Sequence, residues 1–298
     1  MKLMGKNMAK SNLKVKKTVN TNLKIVKENT VKTTSYSDIN LKQWRDYEHV
    51  KTDTLWEFPT RLKEGGHSNE YHGNYIPQIA QQIYERYTKK NDVVLDMFFG
   101  SGTSGIEAIN MNRRCIGVEL KEDLAEKVSE KFTPKQLVTD VNIICADSAS
   151  DLAKEKIKAR LDILGVKNAQ LLMLHPPYDD IIKFSDKKED LSNCATTEEF
   201  YDLFEKVAKN GYDLLEKGRF ACLIIGDKYA NSQHIPLGFE CMARMNKLGF
   251  ITKAIIIKDM QGNERAKGKT ANLWRYRALA GGFYIFKHEY VMVFQKVG

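Results

Sequence analysis

The chain has 298 residues, 42% of them hydrophobic and 29% charged, and carries a net charge of +9. That is enough apolar chain for one sizeable core, and the composition excludes a mostly disordered, collagen-like or disulfide-stapled protein. No apolar run reaches the ~18 residues a membrane-crossing helix needs. The lysine-rich start lacks the apolar stretch and small-residue cleavage site of a signal peptide. Cys115, Cys145, Cys194, Cys222 and Cys241 are odd in number and widely spaced, with no C-x-x-C pair. The expected protein is cytoplasmic and reduced, with neither membrane nor metal as a partner.

Residues 1–35 hold nine lysines against the single acid Glu28. A basic, flexible arm is expected over 1–50, with the folded domain over 51–298. Two readings of the arm stay open: a solvated, solubilising tail, or a non-specific phosphate-binding arm that speeds encounter with nucleic acid. From Ile76 to Tyr87, one stripe collects Ile76, Ile79, Ala80, Ile83 and Tyr87, the pattern of an amphipathic helix. VVLDMFFGSGTSGIEAIN then reads as a strand, a glycine-rich turn and a helix opening near Thr103. Further strands are expected at 114–120, 141–145, 170–174, 219–226 and 250–258. Helices are expected at 122–132, 150–164, 196–217 (capped by Thr196 or Thr197) and 236–248. Residues 259–282 are polar and glycine-bearing, and 283–295 contain the strand-like runs FYIF and EYVMVF. This alternation specifies α/β: a doubly wound, mostly parallel, Rossmann-like sheet of seven strands whose last strand pairs antiparallel.

Two strand-to-loop junctions carry candidate chemistry. At the first, Asp96-Met97-Phe98-Phe99-Gly100-Ser101-Gly102-Thr103 joins a strand to a helix, where glycines allow close backbone approach and a helix start offers N–H donors. It is not a P-loop, since no Gly-Lys-Ser/Thr follows. Glu119 and Asp147 close the next two strands. Three carboxylates at successive strand ends point to a nucleoside-type ligand. At the second junction, Leu174 runs into His175-Pro176-Pro177-Tyr178. The prolines end the strand and leave carbonyls free of ladder duty, His175 offers a ring nitrogen and Tyr178 a stacking face.

DMFFGSGTS together with HPPY resembles the cofactor loop and catalytic motif of the S-adenosylmethionine-dependent DNA amino-methyltransferases, which methylate adenine N6 or cytosine N4. The usual catalytic form has Asp, Asn or Ser where this chain has His175. Gly66-His67-Ser68 and Tyr71-His72-Gly73-Asn74-Tyr75-Ile76-Pro77 lie where the family keeps its remaining cofactor-side motif, and match it more loosely. The resemblance covers about residues 53–296. It implies a methyltransferase sheet with S-adenosylmethionine as cofactor and double-stranded DNA as partner, and with it the option of a cognate restriction endonuclease.

By that resemblance, Asp96 and the backbone from Phe98 through Gly100 and Ser101 to Gly102, with Thr103, hold the methionine end. Glu119 takes the ribose, Asp147 the adenine, and Phe98 or Phe99 packs near the adenine or the methyl-bearing end. Pro176 and His175 accept the N–H groups of a target amine, Pro177 fixes the turn and Tyr178 stacks on a flipped base. Adenine is a narrow first choice over cytosine. Carbon-5 methylation is rejected, because no cysteine follows a proline. Arg265, Lys267, Lys269, Arg275 and Arg277, interleaved with Trp274 and Tyr276, are candidates for DNA contact, as are the segments near 179–195 and 259–282. Lys228 and Tyr229 are weaker ones, and His234 and His288 read as structural or surface residues. Rival functions are an RNA methyltransferase of the guanine-N2 type and an inert DNA-binding protein on the same scaffold. An unperturbed His175, with a pKa of about 6.5, should lose activity as it protonates in mild acid.

Overall fold

The alternation of strand and helix is realised in a computed structural model, which describes residues 34–67, 71, 73–132, 141–260 and 271–298. In chain order the elements are β1 (Leu55–Trp56), α1 (Pro77–Tyr87), β2 (Val93–Asp96), α2 (Thr103–Asn110), β3 (Arg114–Glu119), α3 (Glu122–Phe132), β4 (Val141–Cys145), α4 (Asp151–Ile163) and β5 (Ala169–Leu174). They continue with α5 (Thr197–Leu214), β6 (Leu215–Ile225), β7 (Lys228–Ala230), β8 (Gln233–Ile235), α6 (Leu237–Lys247), β9 (Phe250–Asp259), α7 (Ala271–Gly281) and β10 (His288–Lys296).

The main sheet has eight strands in the order β1-β9-β10-β6-β5-β2-β3-β4. β10 runs antiparallel to both β6 and β9, and the other pairs are parallel. The eighth strand, beyond the seven expected, is the two-residue edge strand β1. Every residue of β2 and β5 is buried, as parallel strands must be when helices cover both faces. Alternate side chains go to opposite layers. Val93 and Leu95 join Phe200, Phe204 and Ile157 from α5 and α4, whereas Val94 joins Ile79, Ile83, Ala108 and Val128 from α1, α2 and α3.

From β2 the chain steps outward to β3 and β4, then returns to lay β5 against the other side of β2. That reversal opens a crevice at the carboxyl ends of β2 and β5, the place where open α/β sheets bind ligands. Asp96 and Leu174 end there, so both sequence motifs leave the sheet side by side.

Several expectations are corrected. Residues 34–50, expected in the arm, are held on the domain: Tyr36 packs edge-on to Phe220 with centroids 4.8 Å apart, and Lys90 N donates to Asp38 Oδ2 at 2.7 Å. The lysine-rich stretch of residues 1–33 lies outside the described residues. The helix expected over 196–217 stops at Leu214, because β6 starts at Leu215. FYIF is not strand; the ladder begins at His288. A helix, α7, stands inside the polar, glycine-bearing segment 259–282, where no element was assigned from the sequence. No helix of the described residues is long and apolar enough to cross a membrane.

Gly117 shows how tightly the glycine turn is seated. A Cβ there would stand 2.2 Å from the Phe99 ring. Gly117→Ala should therefore destabilise by about 1–3 kcal/mol through overpacking, read as a fall of several degrees in Tm. Adding Phe99→Leu should recover part of the loss; a Gly117→Ala chain with unchanged Tm would show that this seat is not tight.

Candidate active site

Asp96 is the buried anchor of the glycine turn, accepting from Phe98 N at 2.9 Å and, through a short contact, from the Ser104 hydroxyl. Desolvation raises its pKa to about 6 against the opposing effect of those two bonds. Gly102, the residue before α2, has φ of 89°, a left-handed conformation that favours glycine. The turn's own N–H groups are largely used internally: Phe99 N donates to Val118 O, Gly100 N to Glu119 Oε2 and Gly102 N to Phe99 O. The loop thus offers shape and close approach more than the free donors expected of it. Glu119 accepts a second amide, Lys121 N, on its other oxygen. Burial pushes the Glu119 and Asp147 carboxyls up from their ordinary values.

The loosely matched upstream segment packs onto this turn. Asn74 Nδ2 donates to Ser101 Oγ at 2.6 Å, and the Tyr75 hydroxyl lies 2.6 Å from Ser104 Oγ. His67 Nε2 meets Glu107 Oε1 at 2.6 Å with both side chains buried. Ser68 and His72 of the same motif lie outside the described residues.

His175, Pro176 and Pro177 border two cavities at once. The first is lined by Met97, Phe98, Phe99, Gly100, Thr103, Glu119, Asp147 and Ser148. Ser101 and Gly102 are not among its lining residues. Phe99 borders it, but its ring is driven inward onto Gly117 and Gly105, so Phe98 is the better placed of the two expected aromatics. The second cavity is lined by Tyr178, Ile181, Ile182, Arg61, Lys258 and Glu289, among others.

Enclosure by protein lowers the His175 pKa to about 4, with Glu289 opposing and Arg61 and Lys258 reinforcing the shift. The ring is therefore neutral well below the pH expected from an unperturbed histidine. Its edge contacts are Tyr75 and Tyr178, at centroid distances of 5.3 and 5.8 Å. Tyr178 donates its hydroxyl to Glu289 Oε2 at 2.8 Å, and Glu289 Oε1 pairs with Lys258 Nζ at 3.0 Å.

The segment 179–195, expected to face DNA, divides. Phe184, Glu189, Asp190 and Leu191 border the first cavity, and nearby Lys187 Nζ donates to Leu120 O at 3.0 Å. Only Ile181 and Ile182 present exposed side chains toward the second cavity. Lys228 is no free cation either: it is buried and paired with Asp179 at 2.6 Å and Asp180 at 2.9 Å. Arg275 and Arg277 are exposed on α7, with Arg277 over the Trp274 ring at 5.3 Å. Arg265, Lys267 and Lys269 lie outside the described residues. His234 pairs with Asp227 at 2.9 Å.

Sequence reasoning missed Asn74 and Tyr75 as individual site residues, and Lys258 and Glu289 entirely. A signal for the last two existed. Each is a charge two places from a buried apolar residue of the same strand, Ile256 and Val291, and so shares that residue's face.

The Asp96 carboxyl makes a pH prediction. A pKa raised on folding gives a contribution that is full below the unfolded value of 3.8 and lost as pH rises through about 6. Relative to Asp96→Asn, the wild type should lose up to about 3 kcal/mol across that window. Urea unfolding of both chains from pH 4 to 7 measures it. His175, whose pKa is depressed, contributes in the opposite sense, present above 6.5 and lost as pH falls through about 4, and cancels in the difference. A flat difference would mean that Asp96 does not carry a buried charge.

The sequence profile N6_N4_Mtase, described as DNA methylase, matches residues 5–130 and 169–298. The type II methyltransferase M.SmaI of Serratia marcescens is 47% identical over 79 residues, 26% of this chain and 26% of its own. The type II methyltransferase M.HinfI of Haemophilus influenzae is 28% identical over 131 residues, 43% of this chain and 36% of its own. A probable type III restriction-modification enzyme HindVI Mod subunit, also from Haemophilus influenzae, is 36% identical over 87 residues, 28% of this chain and 12% of its own. The chain thus spans well under half the length of each of these relatives. With the profile matched over most of its length, the chain belongs to the N6_N4_Mtase family of DNA methylases.

Proposed function

We propose that this protein methylates the exocyclic amine of a base flipped out of double-stranded DNA, adenine N6 ahead of cytosine N4, with S-adenosylmethionine as methyl donor. One observation carries the reading: the His175-Pro176-Pro177 turn belongs to the wall common to both cavities, together with Tyr71, Asn74, Tyr75 and Phe184. A donor in one and a base in the other would meet there. The first cavity fits the cofactor in its chemistry, with carboxylates of Glu119 and Asp147 toward hydroxyl and amino groups and Phe98 beside them. Bound there, the cofactor supplies an electrophilic methyl on a sulfonium.

The protein's part is to orient and to accept. An exocyclic amine is a weak nucleophile because its lone pair is delocalised into the ring. The Pro176 carbonyl and a neutral His175 nitrogen accept its two N–H groups and hold the lone pair toward the first cavity. The Tyr178 ring offers the base a stacking face. Histidine with a pKa near 4 is an acceptor rather than a proton store, so the surplus amine proton leaves to water. Asp96, Ser104 and Tyr75 tie the upstream segment to the glycine turn through their hydrogen-bond chain.

Arg275 and Arg277, with Tyr276 and Leu279 exposed beside them on α7, are assigned to the DNA backbone. Relatives named as type II methyltransferases and a type III Mod subunit support a restriction-modification setting, with an endonuclease as functional partner.

Incubation with S-adenosylmethionine and unmethylated plasmid, followed by nucleoside mass spectrometry, should yield N6-methyladenine. N4-methylcytosine would correct the base, and no methylated nucleoside would overturn the activity. Turnover should hold down to about pH 5 and fall toward pH 4 as His175 protonates, a limb that His175→Ser lacks; an identical limb in both chains removes His175 as acceptor. Arg275→Ala and Arg277→Ala should each weaken DNA binding and flatten the slope of log K against log salt by about 0.9 for every phosphate no longer neutralised. Unchanged slopes would free α7 of that role.

A further inference from the structure

Histidine before Pro-Pro raises a problem that a carboxylate there would not. A neutral imidazole has one nitrogen that donates and one that accepts. An amine awaiting methylation needs an acceptor, so the wrong tautomer would meet N–H with N–H. Something must choose.

We infer that Glu289, acting through the hydroxyl of Tyr178, sets the tautomer of His175, so that Nε2 carries the proton and Nδ1 is the acceptor. The inference rests on the proposed reading for its purpose, not for its geometry. Glu289 and Lys258 face each other across the β9–β10 ladder, with side chains only 9% and 2% exposed. Lys258 Nζ takes Oε1 at 3.0 Å. The remaining oxygen, Oε2, accepts from Tyr178 at 2.8 Å. A carboxylate in an ion pair has no proton to give, so the phenol hydrogen must point to Glu289. Burial and that same carboxylate raise the Tyr178 pKa far above its ordinary value, and the phenol keeps its proton.

The Tyr178 oxygen, its only hydrogen committed, turns lone pairs toward His175. Nε2 stands 3.5 Å away. Two opposed lone pairs repel, whereas an Nε2–H facing the phenol oxygen is attracted. With the ring neutral, Nδ1 is left unprotonated. Among the described residues it has no hydrogen-bond partner in the protein, and it is not among the buried polar atoms left unpartnered. It is therefore open at the shared wall. Glu289 is a positioning residue in this scheme: it acts on the amine through Tyr178 and His175, and Lys258 holds it in place.

Long-range nitrogen–proton NMR of the full chain, labelled with nitrogen-15 at its six histidines, reads the tautomer directly, with His175 assigned by its loss in His175→Ser. At pH 7 the wild type should show a protonated Nε2 and an unprotonated Nδ1. In Glu289→Gln the amide oxygen should turn to the Lys258 ammonium and its NH2 to the Tyr178 oxygen. The phenol hydrogen then swings to Nε2, the two nitrogen shifts exchange, and turnover falls at least tenfold with the cofactor KM unchanged. A wild-type His175 protonated at Nδ1, or the same tautomer in both chains, overturns the inference. Should Glu289→Gln fail to fold, Tyr178→Phe removes the relay and should leave the shifts averaged between the two forms; unaveraged shifts overturn it. If the tautomer exchanges as stated while no chain methylates DNA, the tautomer control stands and the proposed activity falls.

Discussion

The pairing of β2 with β5 is the constraint on which the site depends. Val94, Leu95 and Asp96 lie opposite Leu171, Leu172 and Met173, and Met97 N donates to Met173 O at 3.2 Å just beyond the ladder. Parallel neighbours run about 4.8 Å apart, so two strands that end level deliver their following residues to one place. Asp96 and His175 are far apart in sequence, yet their loops share a cavity wall. Placing β5 beside β2 requires the return crossover over β3 and β4, so the site follows from the topology and not from either motif alone. The core enforces that arrangement, because the alternating side chains of β2 fill helical layers on opposite faces.

The carboxylates of Asp96, Glu119 and Glu289 are buried, and each is given partners. Asp96 has Ser104 and the Phe98 amide, Glu119 has two amides, and Glu289 has a phenol and an ammonium. Burying a polar group with no partner would cost about 2–7 kcal/mol. The partners reduce that cost, and they also fix orientation: a carboxylate with both oxygens committed cannot rotate. Rigid polar groups around a neutral imidazole give the turn a fixed pattern of donors and acceptors.

The parallel half of the fold was legible because buried strands write themselves as continuous apolar runs, and VVLD, RCIGVE and AQLLML are such runs. Thr196 was legible as a cap, and its hydroxyl does accept from Glu199 N at 3.2 Å. The β7–β8 hairpin was not. Its two-residue turn is Asn231-Ser232 with φ of 51° and 61°, and serine in the second place conceals a turn that Asn-Gly would have announced. Helix α7 has apolar residues scattered around its circumference, so no stripe marks it. At the cavities, lining residues on local motifs were legible in the sequence, and those brought in by long-range pairing were not. Lys258 and Glu289 reach Tyr178 only because β10 inserts between β6 and β9.

That insertion also fixes what lies beyond the end of the ladder. Met260 N donates to Lys287 O at 2.8 Å, closing the excursion that carries α7 at its base. Two residues inward along each strand stand Lys258 and Glu289, with only the Asp259–His288 pair between. The excursion bearing the exposed arginines is therefore rooted directly above the ion pair that holds Tyr178. The register that aligns Lys258 with Glu289 also sets where the excursion leaves the sheet. A slip of one residue in β10 would turn Glu289 to the other face, freeing Tyr178 and shifting the root of the α7 segment together. Strand register thus couples the His175-Pro176-Pro177-Tyr178 turn to the outer segment.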